Sequence, residues 1–127
     1  MTNSKFKIFD GSKEWFNDRG QFHRLDGPAY ERKDGSNFWF ANGELHREDG
    51  PAGEYTDGTK MWYLNGKPHR LDGPAVEHAD GTKDWYINGR PYLKREFPLA
   101  VIELLLGCDA PSAEIILKQI KIYYDKF

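Results

Sequence analysis

The chain repeats itself with a period of 23 residues, and that periodicity limits the folds open to it. Asp-Gly-Pro-Ala stands at 26–29, 49–52 and 72–75, and His-Arg at 23–24, 46–47 and 69–70. Trp15, Trp39, Trp62 and Trp85 are each followed by Phe or Tyr, and Asn-Gly recurs at 42–43, 65–66 and 88–89. A second dipeptide, Asp-Gly, recurs at 10–11, 34–35, 57–58 and 80–81. Segments 39–61 and 62–84 are identical at 14 of 23 positions, segment 15–38 is one residue longer, and the unit that starts at Trp85 breaks off near residue 94.

Two tight-turn dipeptides per unit leave room for two short strands, because Asn-Gly and Asp-Gly both tolerate positive φ. Each repeat is therefore read as one β-hairpin plus a link to the next. Pro28, Pro51 and Pro74 open the first strand, where no ladder donor is needed, and the Trp-[Phe/Tyr] pair lies in the second. A two-residue turn at Asp57-Gly58 predicts Tyr55 opposite Lys60 and Gly53 opposite Trp62. Gly53, Tyr55, Lys60, Trp62 and Leu64 then share one face, and Ala52, Glu54, Met61 and Tyr63 the other.

From Arg95 the composition changes to aliphatic residues at helical spacing. Pro98 suits a first helical turn, Gly107 a C-terminal stop, and Asp109 with Pro111 a new start, so helices are expected over 98–106 and 111–125. The expected architecture is mainly β with an α C-terminal tail. Residues 1–94 form an open, single-layer antiparallel sheet of stacked hairpins, and 95–127 a helical cap in the same structural unit. The tail carries Leu99, Ile102, Leu105, Leu106, Ile115, Ile116, Leu117, Ile120, Ile122, Tyr123 and Tyr124, and docking even half of them near Trp85 and Ile87 would make it a structural cap, with a partner-binding helix as the alternative. The segment Lys5 to Phe9, KFKIF, suits an edge strand guarded by lysines.

Several function classes drop out. At 127 residues the chain supplies one domain, and a net charge of −2 argues against a protein built to grip nucleic acid. There is no apolar run of membrane-spanning length and no apolar leader, so a cytoplasmic chain is expected. With Cys108 alone, neither a disulfide framework nor a thiolate metal site is expected. His23, His46 and His69 are in register, but units two strands apart separate them by roughly 9–10 Å, too far to share an ion. No hydrolase, zinc-protease or phosphate-loop motif occurs, so no catalytic residue, metal or cofactor is expected.

The residues left for recognition are Arg24, Arg47 and Arg70, Trp39 and Trp62, Tyr55 and His78. The arginines could hold an anion, or each could pair with the aspartate two residues on. The tryptophans could stack on a ligand ring, or form a cross-strand ladder that acts as core. Positions identical in every unit most simply serve what every unit shares, so a partner should be read by positions that differ: Tyr30, Arg32, Phe38, Tyr55, Met61, His78 and Asp84 on the strands, and Glu44-Leu45, Lys67-Pro68 and Arg90-Pro91 on the turns.

The period, the hairpin per unit and the W-[FY]-x-N-G turn resemble MORN repeats, and more closely the variant repeats of YwqK-type antitoxin proteins. The signature H-R-x-D-G-P-A at 23–29, 46–52 and 69–75 resembles repeat proteins encoded by bacteriophages. The resemblance covers about residues 10–92; the Y-x-G-x-W start of MORN units is missing and a His-Arg segment is added. It implies a twisted sheet used as a binding scaffold, with no catalytic residues to carry over. A phage-type accessory protein would work in the host cytoplasm, binding and inhibiting a host protein such as a defence component. Two alternatives stand beside that expectation: sequestration of a phosphorylated nucleotide, and neutralisation of a toxin. A homodimer through a sheet face or the tail is also expected, because an uncovered aromatic stripe exceeds what a monomer usually exposes.

Overall fold

The computed structural model describes residues 5–107 and 110–127, without the side chains of 110–114, 119 and 122. Cys108 and Asp109, read above as a lone thiol and a helix start, lie outside the described residues. The strands are β1 (Lys5–Phe9), β2 (Ser12–Phe16), β3 (Tyr30–Glu31), β4 (Asn37–Phe38), β5 (Phe40–Ala41), β6 (Glu44–Leu45) and β7 (Gly53–Glu54). They continue as β8 (Lys60–Met61), β9 (Tyr63–Leu64), β10 (Lys67–Pro68), β11 (Val76–Glu77), β12 (Lys83–Ile87) and β13 (Arg90–Tyr92), followed by α1 (Phe97–Leu106) and α2 (Ala110–Tyr124). Nine strands form one antiparallel sheet in the order β1-β2-β3-β4-β7-β8-β11-β12-β13, and β5-β6 and β9-β10 stand as separate hairpins.

Each full repeat thus holds two hairpins, where one was expected. The Asp-Gly turns link strands of the large sheet, Asn42-Gly43 and Asn65-Gly66 head the small hairpins, and Asn88-Gly89 joins β12 to β13. Trp39 and Trp62 are the pivots between them, outside the regular strands. The Trp39 N–H donates to the Ala52 carbonyl at 2.7 Å while its carbonyl accepts from the His46 N–H at 2.9 Å, so one residue bonds into both hairpins. The Asn-Gly turns are two-residue turns with both φ positive, as at Asn65 (50°) and Gly66 (77°), the combination that favours this dipeptide.

The Asp-Gly turns of the repeats differ, and the expected register is corrected. Gly58 donates to the Tyr55 carbonyl and Tyr55 to the Thr59 carbonyl, which makes 56–58 a three-residue loop with Gly58 left-handed. The extra residue pairs Gly53 with Met61 and Glu54 with Lys60. Lys60 therefore shares a face with Glu54, and Met61 with Gly53. The Asp57 carboxylate accepts the Thr59 N–H at 2.8 Å, and that bond holds its pKa below the usual carboxylate value.

The tail forms where its signals placed it. Pro98 lies in the first turn of α1, and Gly107, at φ 53°, closes the helix by donating to the Glu103 carbonyl. The core is Trp85, Ile87, Phe97, Val101 and Tyr124, with Leu71, Tyr92, Ala100, Ile120 and Phe127 packed against it. Of the tail's large residues Ile102 and Tyr124 are buried, and Leu99, Leu105, Leu106, Ile115 and Tyr123 are exposed, Leu105 and Ile115 by 62% and 68%. Two short helices on a narrow strand edge bury one side each, so the aliphatic excess faces outward.

Candidate functional site

The register sorts the large sheet into two faces of different chemistry. One row runs Glu14, Tyr30, Phe38, Gly53, Met61, Val76, Asp84 across neighbouring strands. The adjacent row, on the opposite face, runs Lys13, Glu31, Asn37, Glu54, Lys60, Glu77, Lys83. Charges of opposite sign neighbour one another in that second row, an arrangement that stabilises cross-strand pairs.

The second face also carries the repeated residues. The Arg47 guanidinium lies 3.9 Å above the Trp39 ring, donates to Asp49 at 3.0 Å and to the Pro51 carbonyl at 3.1 Å, and pairs with Glu54 at 3.2 Å. Arg70 repeats this on Trp62, Asp72, Pro74 and Glu77, and Arg24 on Trp15, Asp26 and Pro28. The stack has no room for a side chain beneath it: a Cβ on Gly50 would meet Arg47 Cζ at 2.9 Å, and one on Gly73 would meet Arg70 Cζ at 2.7 Å. Ala29, Ala52 and Ala75 are fully buried, so the recurrent Gly-Pro-Ala is the seat of the stack.

The histidines join one repeat to the next. His23, His46 and His69 each accept, through Nδ1, the N–H of the following unit's Asn42, Asn65 or Asn88 at 3.0 Å. Clefts of about 600 and 540 Å³ lie between successive His-Arg loops, the first lined by Trp39, Arg47, Asp26, Glu48 and Asp49 and the second by Trp62 and Arg70. The rim carboxylates of Asp26, Glu48 and Asp49 are more than four-fifths exposed, and they oppose a phosphate there.

The first face carries an aromatic stripe. Phe16 stacks on Phe22 at 5.0 Å, Phe22 on Phe40 at 5.2 Å and near Tyr30 at 5.3 Å, Tyr30 on Phe38 at 5.9 Å, and Phe38 meets Tyr55 edge-on at 5.1 Å. Burial, with Tyr86 and Tyr55 contributing, raises the Tyr63 pKa. All these rings except Phe38 are half-buried.

The seven residues singled out in the sequence do not meet at one place. Arg24, Arg47, Arg70, Trp39 and Trp62 build the stacks, Tyr55 belongs to the aromatic stripe, and His78 lies on an Asp-Gly turn with Nε2 2.7 Å from Asp84. Phe16, Phe22 and Phe40 were not among them; for Phe16 and Phe40 the signal was the aromatic residue that follows each Trp, whose face depends on the chain bending at Trp, and Phe22 carried no such repeat signal. Among the described residues no group of three or more His, Cys, Asp or Glu could hold a metal ion, and no helix is long and apolar enough to cross a membrane. Comparison with protein families, with curated proteins and with solved structures finds no match to the chain.

Proposed function

We propose that the chain is a non-catalytic scaffold that binds a protein partner through the aromatic face of its sheet. One observation carries the reading: two sets of strand positions that vary between repeats fall in one row. Tyr30, Gly53 and Val76 are equivalent, as are Phe38, Met61 and Asp84, and the register lines all six on the stripe's face. The invariant Arg, Glu and His side chains are engaged within and between units, as expected of residues that serve stacking. A graded row, aromatic at Tyr30 and Phe38 and ending on Asp84, suits recognition of one surface.

In this reading the chain is a MORN-like, phage-type accessory protein that inhibits a host protein, with toxin neutralisation as the related alternative. The nucleotide alternative draws less support, because Arg47 and Arg70 are already neutralised and the clefts beside them have acidic rims. The exposed aliphatic side of α1 and α2 supports a homodimer through the tail, with the stripe left free.

The test is affinity capture from host lysate with three proteins: wild type, Phe38→Glu/Tyr55→Glu, and Lys13→Ala as the opposite-face control. The reading predicts a partner retained by wild type and Lys13→Ala and lost by the double variant. A partner held equally by all three would contradict it, as would saturable nucleotide binding without any protein captured.

A further inference from the structure

The edge strand β1 has features that its guard lysines do not explain. It pairs with β2 through a two-residue turn, Phe9 opposite Ser12, Lys7 opposite Glu14 and Lys5 opposite Phe16. In such a hairpin the closing pair and every second pair beyond it exchange both hydrogen bonds. The backbone groups of Lys5, Lys7 and Phe9 therefore point at β2, and those of Phe6 and Ile8 point away from it. Among the described residues β1 has no other strand beside it. Its side chains are apolar where a merely protected edge would be charged: Phe6, Ile8 and Phe9 are 54%, 63% and 60% exposed. Phe6 rests on Trp15 at 4.9 Å, so the apolar row is already begun on that face.

We propose that β1 is a docking edge for an extended, acidic–apolar alternating strand of a partner protein. Backbone groups of that strand pair with those of Phe6 and Ile8, and its apolar side chains lie beside these two residues. Its carboxylates meet Lys5 and Lys7, which project from the other face. Lys5 is held loosely by Asp18 at 3.7 Å with both side chains about two-thirds exposed, so it remains open to a closer acid. A second copy of this chain fits poorly. Antiparallel self-pairing that joins Phe6 to Ile8 sets Lys7 against Lys7 of the other copy, and shifting it to join Phe6 to Phe6 sets Lys5 against Lys7. In the registers that pair Phe6, the same lysines disfavour the chain's own edge, and they favour an acidic strand. This edge is a surface separate from the variable row, so variants at Phe38 and Tyr55 do not test it.

The experiment uses the full chain and two labelled peptides, one alternating Glu with Val and one alternating Lys with Val, followed by fluorescence anisotropy. Wild type should bind the acidic peptide saturably and prefer it to the basic one. Ile8→Pro, which removes an outward donor and leaves the bonds to β2 in place, should weaken that binding about tenfold or more. Lys7→Glu/Glu14→Lys preserves the pair across the hairpin while cancelling the outer charge of Lys5, and should abolish the preference for the acidic peptide. No saturable binding by wild type, equal affinity for the two peptides, or binding untouched by both variants would overturn the proposal. A wild-type dimer that Ile8→Pro dissolves would also overturn it, by making the occupant a second copy.

Discussion

Trp62 and Trp85 hold the same place in successive repeats and are covered by different means. Over Trp62 lies Arg70, 3.8 Å from the ring and fastened to Asp72, Glu77 and the Pro74 carbonyl. Trp85 has no such arginine, because Tyr92 and Leu93 stand where His-Arg would recur. Phe97 at 4.8 Å, Tyr124 at 5.7 Å and Phe127 at 5.9 Å take the arginine's place, and Trp85 is fully buried where Trp62 is half-buried. The lesson is that a repeat too thin to bury its own tryptophan can cover it with a guanidinium at every interior position. The last position needs a separate cap.

Tyrosines fasten that cap. The Tyr123 hydroxyl donates to the Asp72 carbonyl at 3.1 Å and the Tyr124 hydroxyl to the Leu71 carbonyl. Burial, with Asp72 and Tyr123 nearby, pushes the Tyr124 phenol up to about 12. Both bonds run to the His-Arg loop of the last full repeat, so the tail docks where another unit would stack.

The largest expected effect comes from removing the cap. Truncation after Lys94 bares Trp85 and Ile87, each worth about 1.5–3 kcal/mol of burial, and deletes Phe97, Val101 and Tyr124 with them. Together these losses are comparable to the whole net stability of a small domain, about 5–15 kcal/mol. The truncated chain should aggregate or lose its cooperative thermal transition. A soluble, folded truncation would break the comparison.

Point substitutions sharpen it. Phe97→Ala should cost about 3–5 kcal/mol in denaturant unfolding. Arg47→Met, which keeps much of the contact with Trp39 but loses the bonds to Asp49, Pro51 and Glu54, should cost about 1.5–3 kcal/mol. Gly50→Ala should approach that figure at about 1–3 kcal/mol, because its Cβ meets the guanidinium. An unchanged midpoint for Gly50→Ala would show that the stack is loose.

The smallest expected effect is on pH. Burial lowers the His69 pKa, and its Nδ1 accepts the Asn88 N–H, a role a protonated ring cannot fill. An unfolded histidine takes up its proton near pH 6.5, so just below that pH the unfolded chain binds more protons than the folded one. The His69 contribution is therefore complete above about pH 6.5 and is lost as pH falls through the lower folded value. Urea unfolding from pH 7.5 to 5 should show stability falling, with a shallower slope in His69→Gln.

Much of this architecture was legible because periodicity and turn chemistry are local. The 23-residue period gave two strands of the large sheet per unit, and Pro98 and Gly107 marked α1. What failed was register. Asp10-Gly11 makes a two-residue turn with Asp10 at φ 50°, while Asp57 stays at negative φ because its carboxylate accepts the Thr59 N–H. The same dipeptide thus sets opposite parities, and Lys60 changed faces with it. The stripe was hidden for a related reason: whether Phe40 and Phe22 join Tyr30 depends on the bend at Trp39. The pairing of each Arg with the Asp two residues on was readable from spacing. The stacking of that Arg on a Trp eight or nine residues before it was not, because only the folded loop brings them together.

Native-state hydrogen exchange, read amide by amide, tests most directly whether a capped end and an arginine-held stack are two kinds of structure. The slowest exchange is expected at Trp62 and at Trp85 and Ile87, beside the capped core. The equivalent amides at Trp39 and Trp15 should be progressively faster, as units open one by one from the end away from the cap. Equal protection of all four tryptophan amides, or slowest exchange at Trp15, would contradict it.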